Sequence, residues 1–150
     1  MRGTVAVLLL AVALAPLAAS AHSHTKKGLE IVHPSTPATT EETTATTQVF
    51  MKIKNRGAGD RLLRASTPVA ASVAFQEPAG VGAKEVAAIL VGADNEVELD
   101  RKGPHLLLSG LKKRLNAYDS FTMTLVFEKA GSMVVEVAVE EAETVAPHKH

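Results

Sequence analysis

The chain contains no cysteine and no tryptophan, and its aromatic residues are four phenylalanines and one tyrosine. No disulfide can form, so in an oxidising compartment the fold depends on its apolar core alone. Few aromatic side chains disfavour recognition of sugars or bases by stacking. Sixteen basic residues are balanced by sixteen acidic residues, so nothing in the charge indicates a nucleic acid or an anionic membrane as partner.

The beginning of the chain is typical of an export signal. Arg2 supplies a positive start, residues 5–17 are apolar apart from Pro16, and Ala19-Ser20-Ala21 has the small-x-small pattern of a cleavage site. The apolar run is shorter than the roughly 20 residues that span a bilayer, and no second run approaches that length. We therefore expect residues 1–21 to be a signal peptide, and the protein to be periplasmic or secreted without membrane insertion after the signal is removed.

Hydrophobic alternation predicts an all-β domain. Apolar and polar side chains alternate in residues 49–54, and residues 121–127 and 133–139 form an alternating pair joined by a turn. Short strands separated by turn residues favour a β-sandwich. A first strand is predicted at residues 28–33, ended by Pro34, whereas residues 84–91 are compatible with either helix or strand.

The same reasoning divides the chain into segments. We expect a mobile segment at residues 22–27, a sandwich domain at residues 28–139 and a disordered, histidine-containing tail at residues 140–150.

Several segments occur in the order found in one known family. They include His33-Pro34 at the end of the first strand, Val-Phe-Met-Lys-Ile-Lys-Asn at 49–55, Asp60-Arg61-Leu62, residues 103–111 and Leu-Val-Phe-Glu-Lys-Ala-Gly at 125–131. In these residues the chain resembles the periplasmic copper chaperones of the PCu(A)C family. The resemblance implies a cupredoxin-like Greek-key β-sandwich that binds copper(I) near one end. It also implies a copper enzyme, such as cytochrome c oxidase, as the partner that receives the metal.

The copper motif of that family is degenerate in this chain. The family has His-x-Met where this sequence has His105 followed two residues later by Leu107, and it has a histidine where Gln76 stands. No methionine lies between Met51 and Met123. Because copper(I) prefers thioether and imidazole ligands, we expect the copper(I) site to be absent or weak. His105 is then either a hydrogen-bonded or solvated polar residue at a strand start, or a surviving metal ligand.

Four further histidines lie near the two ends of the chain and are candidate metal ligands. Cleavage after Ala21 would make His22 the amino terminus, and two chelates are then possible. The α-amine and the ring nitrogen of His22 could bind a metal together, or His24, as the third residue, could complete a different chelate. An α-amine, two backbone amides and a third-position imidazole form a square-planar nitrogen set, which suits copper(II) better than copper(I). His148 and His150 could add imidazole ligands from the other end.

No arrangement of residues predicts catalysis. The serines lack a Gly-x-Ser-x-Gly turn, and the adjacent carboxylates fall in predicted loops, so we expect that the protein is not an enzyme. The sequence favours an exported copper-handling, chaperone-like protein whose metal site contains no methionine, with copper(II) preferred over copper(I). The alternative is a metal-free β-sandwich that serves as a partner-binding module.

Overall fold

The computed structural model describes residues 23–40 and 45–142, and this part of the chain consists of strands and connecting loops without a helix. The strands are β1 (Ser23–Lys26), β2 (Leu29–Pro37), β3 (Thr46–Asn55), β4 (Asp60–Ser66), β5 (Ala70–Pro78), β6 (Ala83–Val86), β7 (Ile89–Val91), β8 (Asn95–Leu99), β9 (His105–Leu111), β10 (Ser120–Phe127) and β11 (Gly131–Glu140). The all-β fold predicted from the sequence is confirmed. Across the described residues, no helix has the length and apolar character needed to cross a membrane.

Strand β3 joins the two sheets of the sandwich. Its first residues, from Thr46 to Val49, pair with β9, and its later residues, from Met51 to Asn55, pair with β8. The strands follow the order β6-β5-β9-β3-β2-β11-β10-β4-β7, with β1 added beside β2 and β8 beside β3. This order begins with β6 and β5 and ends with β4 and β7. Because these two ends are not paired with each other, the sheet is almost closed but has one open seam.

The core is built from the alternating side chains that the sequence predicts to face inward. In β10 and β11 the eight inward positions are all buried, and β3 buries three more: Phe121, Met123, Leu125, Phe127, Met133, Val135, Val137, Val139, Val49, Met51 and Ile53. The predicted hairpin is also present, because β10 and β11 pair in antiparallel register from Ser120↔Ala138 to Phe127↔Gly131. An alternation with a period of two was enough to identify the inward residues of these strands, because each strand has one face in the core and one in solvent.

The amino-terminal part of the domain differs from the expectation. Ser23–Lys26, expected to be mobile, forms β1 and pairs with β2. This pairing uses backbone hydrogen bonds, which a polar sequence can make without burying side chains.

Strand β2 also continues beyond the predicted end at Pro34. The register with β3 shifts between Val32 and Ser35, and His33 has a φ of +51°. This bulge places Pro34 where no ladder hydrogen bond is required, so the strand resumes and pairs in parallel with β11. Residues 84–91, left open between helix and strand, contain the end of β6 and all of β7.

Asp60 holds the turn between β10 and β11. Its Oδ1 accepts from the backbone N–H of Arg61 at 2.8 Å and of Lys129 at 2.9 Å, and its Oδ2 accepts from Ala130 N–H at 2.9 Å. Burial by itself raises the pKa of Asp60, but the three backbone hydrogen bonds together outweigh it and lower the pKa below its ordinary value. The ionised carboxylate is therefore part of the folded structure.

Gly110 marks a close approach between β9 and β5. It lies between the pairs Ser72↔Ser109 and Ala70↔Leu111 and has a φ of +66°. A Cβ atom at this position would lie 2.7 Å from the Cβ of Ala71. Glycine meets both requirements, a left-handed backbone and the absence of a side chain.

Candidate metal site

His105 begins β9 and is only 4% exposed, although it carries a polar ring. It lies directly opposite Gln76 of β5. On the other side of β9, Gln48 of β3 lies opposite Leu107, two residues along the strand. Because positions i and i+2 share a face of a strand, one histidine and two glutamines from three neighbouring strands meet on the same face of this sheet.

The hydrogen bonds of His105 define its tautomer. Nδ1 lies 3.1 Å from the carbonyl oxygen of Gly103, and a carbonyl oxygen only accepts, so Nδ1 carries the proton and donates. In the neutral ring Nε2 then has a free lone pair. The same carbonyl fixes the orientation of the ring, as backbone carbonyls do for metal-binding histidines in general.

The lone pair of Nε2 faces both glutamines. The Gln48 amide nitrogen lies 3.2 Å away and donates to it. Oε1 of Gln76 lies 3.3 Å away, and two acceptors facing one another form no hydrogen bond without a proton or a cation between them. A separation of 3.3 Å is close to that of two ligands that bind one ion at about 2 Å each. The arrangement thus offers one imidazole nitrogen and one amide oxygen to a cation.

The donor set of this site contains no sulfur. Met51, Met123 and Met133 all belong to the buried apolar core, and Leu107, which has no donor atom, follows His105 on the same face. Glu85 is paired with Gln76 on the side away from His105 and is exposed. Throughout residues 23–40 and 45–142, no three histidine, aspartate or glutamate side chains gather as a ready ligand set.

Of the four other candidate ligands, the described residues contain His24, which is not among the hydrogen-bond partners of His105. His24 lies in β1, where its Nε2 accepts from the backbone N–H of Glu136 at 3.3 Å. His33, at the bulge of β2, is exposed and donates from Nε2 to Oε1 of Glu140 at 2.5 Å, which links β2 to the end of β11. His22, His148 and His150 lie outside the described residues.

Gln48 is a part of the site that the sequence analysis did not select. The alternation of β3 already places it on the face opposite the buried Val49, but the sequence gives no sign that this face meets the start of β9. That contact depends on which strands are neighbours, and strand order follows from the tertiary fold rather than from the local pattern.

Comparison with known proteins identifies the family. Residues 29–139 match the family described as putative lipoprotein LpqE-like, and the chain belongs to that family. Among curated proteins, none is significantly similar to this chain.

Solved structures of PCuAC domains share the fold. The copper-bound PCuAC domain from PmoF2 is 29% identical with a TM-score of 0.72, covering 80% of this chain and 98% of that domain. The apo PCuAC domain from PmoF1 is 26% identical with a TM-score of 0.74, covering 80% and 99% respectively. The structure of Cu(I)-DR1885 from Deinococcus radiodurans, at 23% identity and a TM-score of 0.64, covers 82% of this chain and 83% of that protein and shows the fold alone.

These matches confirm the predicted cupredoxin-like Greek-key sandwich. The family and the matching PCuAC domains are not enzymes, which confirms that the chain is not an enzyme.

Proposed function

We propose that this protein is an exported copper-handling protein that takes up copper at His105 and passes it to a partner copper protein. The copper-bound PCuAC domain from PmoF2 supports the cargo, and the lipoprotein family supports a location outside the cytoplasm. In this proposal copper is a cargo that is bound and released, so a site with few ligands suits the role.

The observation that carries the proposal is the convergence of Nε2 of His105 and Oε1 of Gln76, which lie 3.3 Å apart. The Gly103 carbonyl keeps the proton on Nδ1, so the Nε2 lone pair can bind a metal once the Gln48 amide that donates to it moves aside. Imidazole nitrogen and amide oxygen are harder ligands than thioether sulfur, so the site favours copper(II) over copper(I). The loss of the His-x-Met motif therefore changes the preferred oxidation state.

The amino-terminal chelate is a second proposed copper(II) site, and its formation competes with the pairing of β1 with β2. An amine, two amides and a third-position imidazole would use the backbone nitrogens of Ser23 and His24, both of which lie in β1 beside β2. The ring of His24 would also have to release the Glu136 N–H. This chelate forms only when β1 detaches, so we place it below His105 in affinity. His148 and His150 remain proposed additional ligands.

The alternative function is a metal-free, partner-binding sandwich. It is favoured by one observation, that both ring nitrogens of His105 already have partners within the protein. In that case the histidine and the two glutamines simply tie three strands together.

Titration with copper(II) and copper(I) under matched conditions separates the two functions. We expect His105→Ala to weaken copper(II) binding at the tighter site at least tenfold, while the control His33→Ala leaves it within about twofold, because His33 lies outside the cluster. Copper(II) affinity unchanged in His105→Ala would overturn the His105 site. Failure of the wild-type protein to bind either ion would establish the metal-free alternative.

A further inference from the structure

The neutral ring of His105 has one proton and faces two acceptor oxygens. Its Nδ1 lies 3.1 Å from the carbonyl oxygen of Gly103, and its Nε2 lies 3.3 Å from Oε1 of Gln76. A neutral imidazole carries its proton on one nitrogen, so it donates to one of these oxygens and not to the other. The choice between them decides whether Nε2 keeps a lone pair for a metal ion.

The two glutamines do not hold the proton on Nδ1 by themselves. The amide nitrogen of Gln48 donates to Nε2 at 3.2 Å, but a half-turn of the amide would exchange its nitrogen and oxygen, so Gln48 can follow either tautomer. Oε1 of Gln76, as it lies, favours a proton on Nε2. The backbone carbonyl of Gly103 is therefore the group that must outweigh Gln76.

Asp100 fixes the position of Gly103. Its Oδ1 accepts from the backbone N–H of Lys102 at 2.9 Å and from the backbone N–H of Gly103 at 2.5 Å. The backbone N–H of Asp100 donates to the carbonyl oxygen of Pro104 at 3.0 Å. The side chain and the backbone of Asp100 together hold the loop at residues 100–104, which leads from β8 into His105.

Gly103 depends on these contacts for its orientation. Glycine is the least restrained residue of a chain, so the direction of its carbonyl is set by what surrounds it. A Cβ atom added at Gly103 would lie 3.0 Å from Oδ1 of Asp100, which shows how closely the loop packs around this carboxylate. Holding Gly103 by its N–H also aims its carbonyl at the imidazole.

We propose that Asp100 is a positioning residue for the metal site, which acts through Gly103 to keep the proton of His105 on Nδ1 and so reserves Nε2 for metal. Without this carboxylate the Gly103 carbonyl turns away, and the proton moves to Nε2, where Gln76 accepts it. A protonated Nε2 has no lone pair for an ion. The copper part of this inference rests on the proposed function, whereas the position of the proton does not.

The first test measures the tautomer of His105 in metal-free protein. Long-range nitrogen–proton NMR correlations of the imidazole, at a pH where the ring is neutral, show which nitrogen carries the proton. We expect Nδ1–H in the wild type and a shift towards Nε2–H in Asp100→Ala. Asp100 is exposed, so its replacement leaves the core intact. An Nε2–H ring in the wild type, or an unchanged tautomer in Asp100→Ala, would overturn the inference.

Two control variants separate the hydrogen bonds of Asp100 from its charge. Asp100→Asn removes the charge and keeps an acceptor oxygen for the turn, which asparagine forms as readily as aspartate. Glu98→Ala removes the same charge from an exposed position of β8, two residues earlier. Both controls should keep the wild-type tautomer. A shift in either control equal to that of Asp100→Ala would attribute the effect to charge and overturn the inference.

Copper(II) titration of the same variants separates this inference from the proposed function. Asp100→Ala should weaken binding at the tighter site about three- to tenfold, while Asp100→Asn and Glu98→Ala stay within about twofold. A shifted tautomer with unchanged copper(II) affinity would overturn the positioning role and leave His105 as the copper site. A wild-type protein that binds no copper would overturn the proposed function, and the tautomer of Asp100→Ala would still decide whether Asp100 holds the proton.

Discussion

Nε2 of His105 and Oε1 of Gln76 face each other at 3.3 Å across the β5–β9 pair. Both atoms are acceptors when the ring is neutral with its proton on Nδ1, which the Gly103 carbonyl favours. A cation bound between the two atoms would replace this opposition with two metal–ligand bonds. The relationship links the register of two strands directly to the proposed metal chemistry.

Restoring a sulfur donor should restore copper(I) binding. Leu107 lies two residues after His105 on the same face of β9, so Leu107→Met places a thioether on the side of the imidazole. We expect copper(I) affinity to rise at least tenfold, measured by competition with a colorimetric copper(I) chelator, because copper(I) prefers sulfur and imidazole.

The matched control is Leu108→Met, which adds the same side chain one residue later, where the strand faces the core. It should leave copper(I) affinity unchanged. An equal gain in both variants would mean that the added sulfur does not act together with His105.

Copper(II) should fill its two proposed sites in order. The first equivalent binds at His105 and leaves β1 paired, whereas a second equivalent at the amino terminus must detach Ser23 and His24 from β2. We therefore expect amide exchange at Thr25 and Lys26 to stay slow through one equivalent and to accelerate with the second. Acceleration by the first equivalent would place the tighter site at the amino terminus.

This test requires the true amino terminus of the exported protein, which mass spectrometry gives directly. A mature chain that begins at Ser23 or later removes the amino-terminal chelate in both proposed forms. The faster amide exchange expected with a second equivalent of copper(II) should then disappear.

Asp60→Asn should destabilise the fold in a pH-dependent manner. The ionised carboxylate accepts three backbone N–H groups, and the amide offers one acceptor oxygen and an unwanted donor. We expect a loss of about 1–3 kcal/mol at pH 7 in urea unfolding.

The direction of this pH dependence follows from the lowered pKa of Asp60 in the folded state. Its contribution to stability is complete above the unfolded value of about 3.9 and is lost as pH falls through the folded pKa. The stability difference between the wild type and Asp60→Asn should therefore shrink in acid. A difference that stays constant from pH 7 to pH 2 would contradict this role for the carboxylate.

Gly110→Ala should cost more than an alanine at another left-handed glycine. At Gly110 the new Cβ meets Ala71 at 2.7 Å, in addition to the cost of a φ of +66°. Gly80 has a φ of +57°, but nothing lies within 4 Å of its added Cβ. We expect a loss of about 2–4 kcal/mol for Gly110→Ala and about 1 kcal/mol for Gly80→Ala, measured by chemical unfolding.

The double variant Gly110→Ala with Ala71→Gly should recover the part of this loss that comes from the close contact. If Gly110→Ala costs no more than Gly80→Ala, the approach of β9 to β5 is less tight than the structure indicates.

The sequence predicts the regular, alternating strands better than the polar strand at residues 23–26 and the bulged strand β2. The inward side chains of β10, β11 and β3 could be identified because burial on one face produces a period of two. The strand at residues 23–26 could not, since its polar side chains give no signal and its stability comes from backbone pairing. Pro34 was expected to end β2, but a bulge at His33 accommodates it, and bulges have no strong signature in a single sequence.

The candidate site could be predicted only in part. His105 and Gln76 occupy positions implied by the family resemblance, so their proximity was expected from the fold. Gln48 lies 57 positions earlier in the chain, and only the pairing of β3 with β9 brings it to the imidazole.

X-ray absorption spectroscopy of copper-loaded protein tests the central claim most directly, because it reports the atoms bound to the metal. The account predicts nitrogen and oxygen neighbours at about 2.0 Å, and loss of the imidazole scattering in His105→Ala at one equivalent of copper(II). A copper–sulfur distance near 2.3 Å in the wild-type protein, after reduction to copper(I), would contradict it by showing that a buried methionine turns toward the metal.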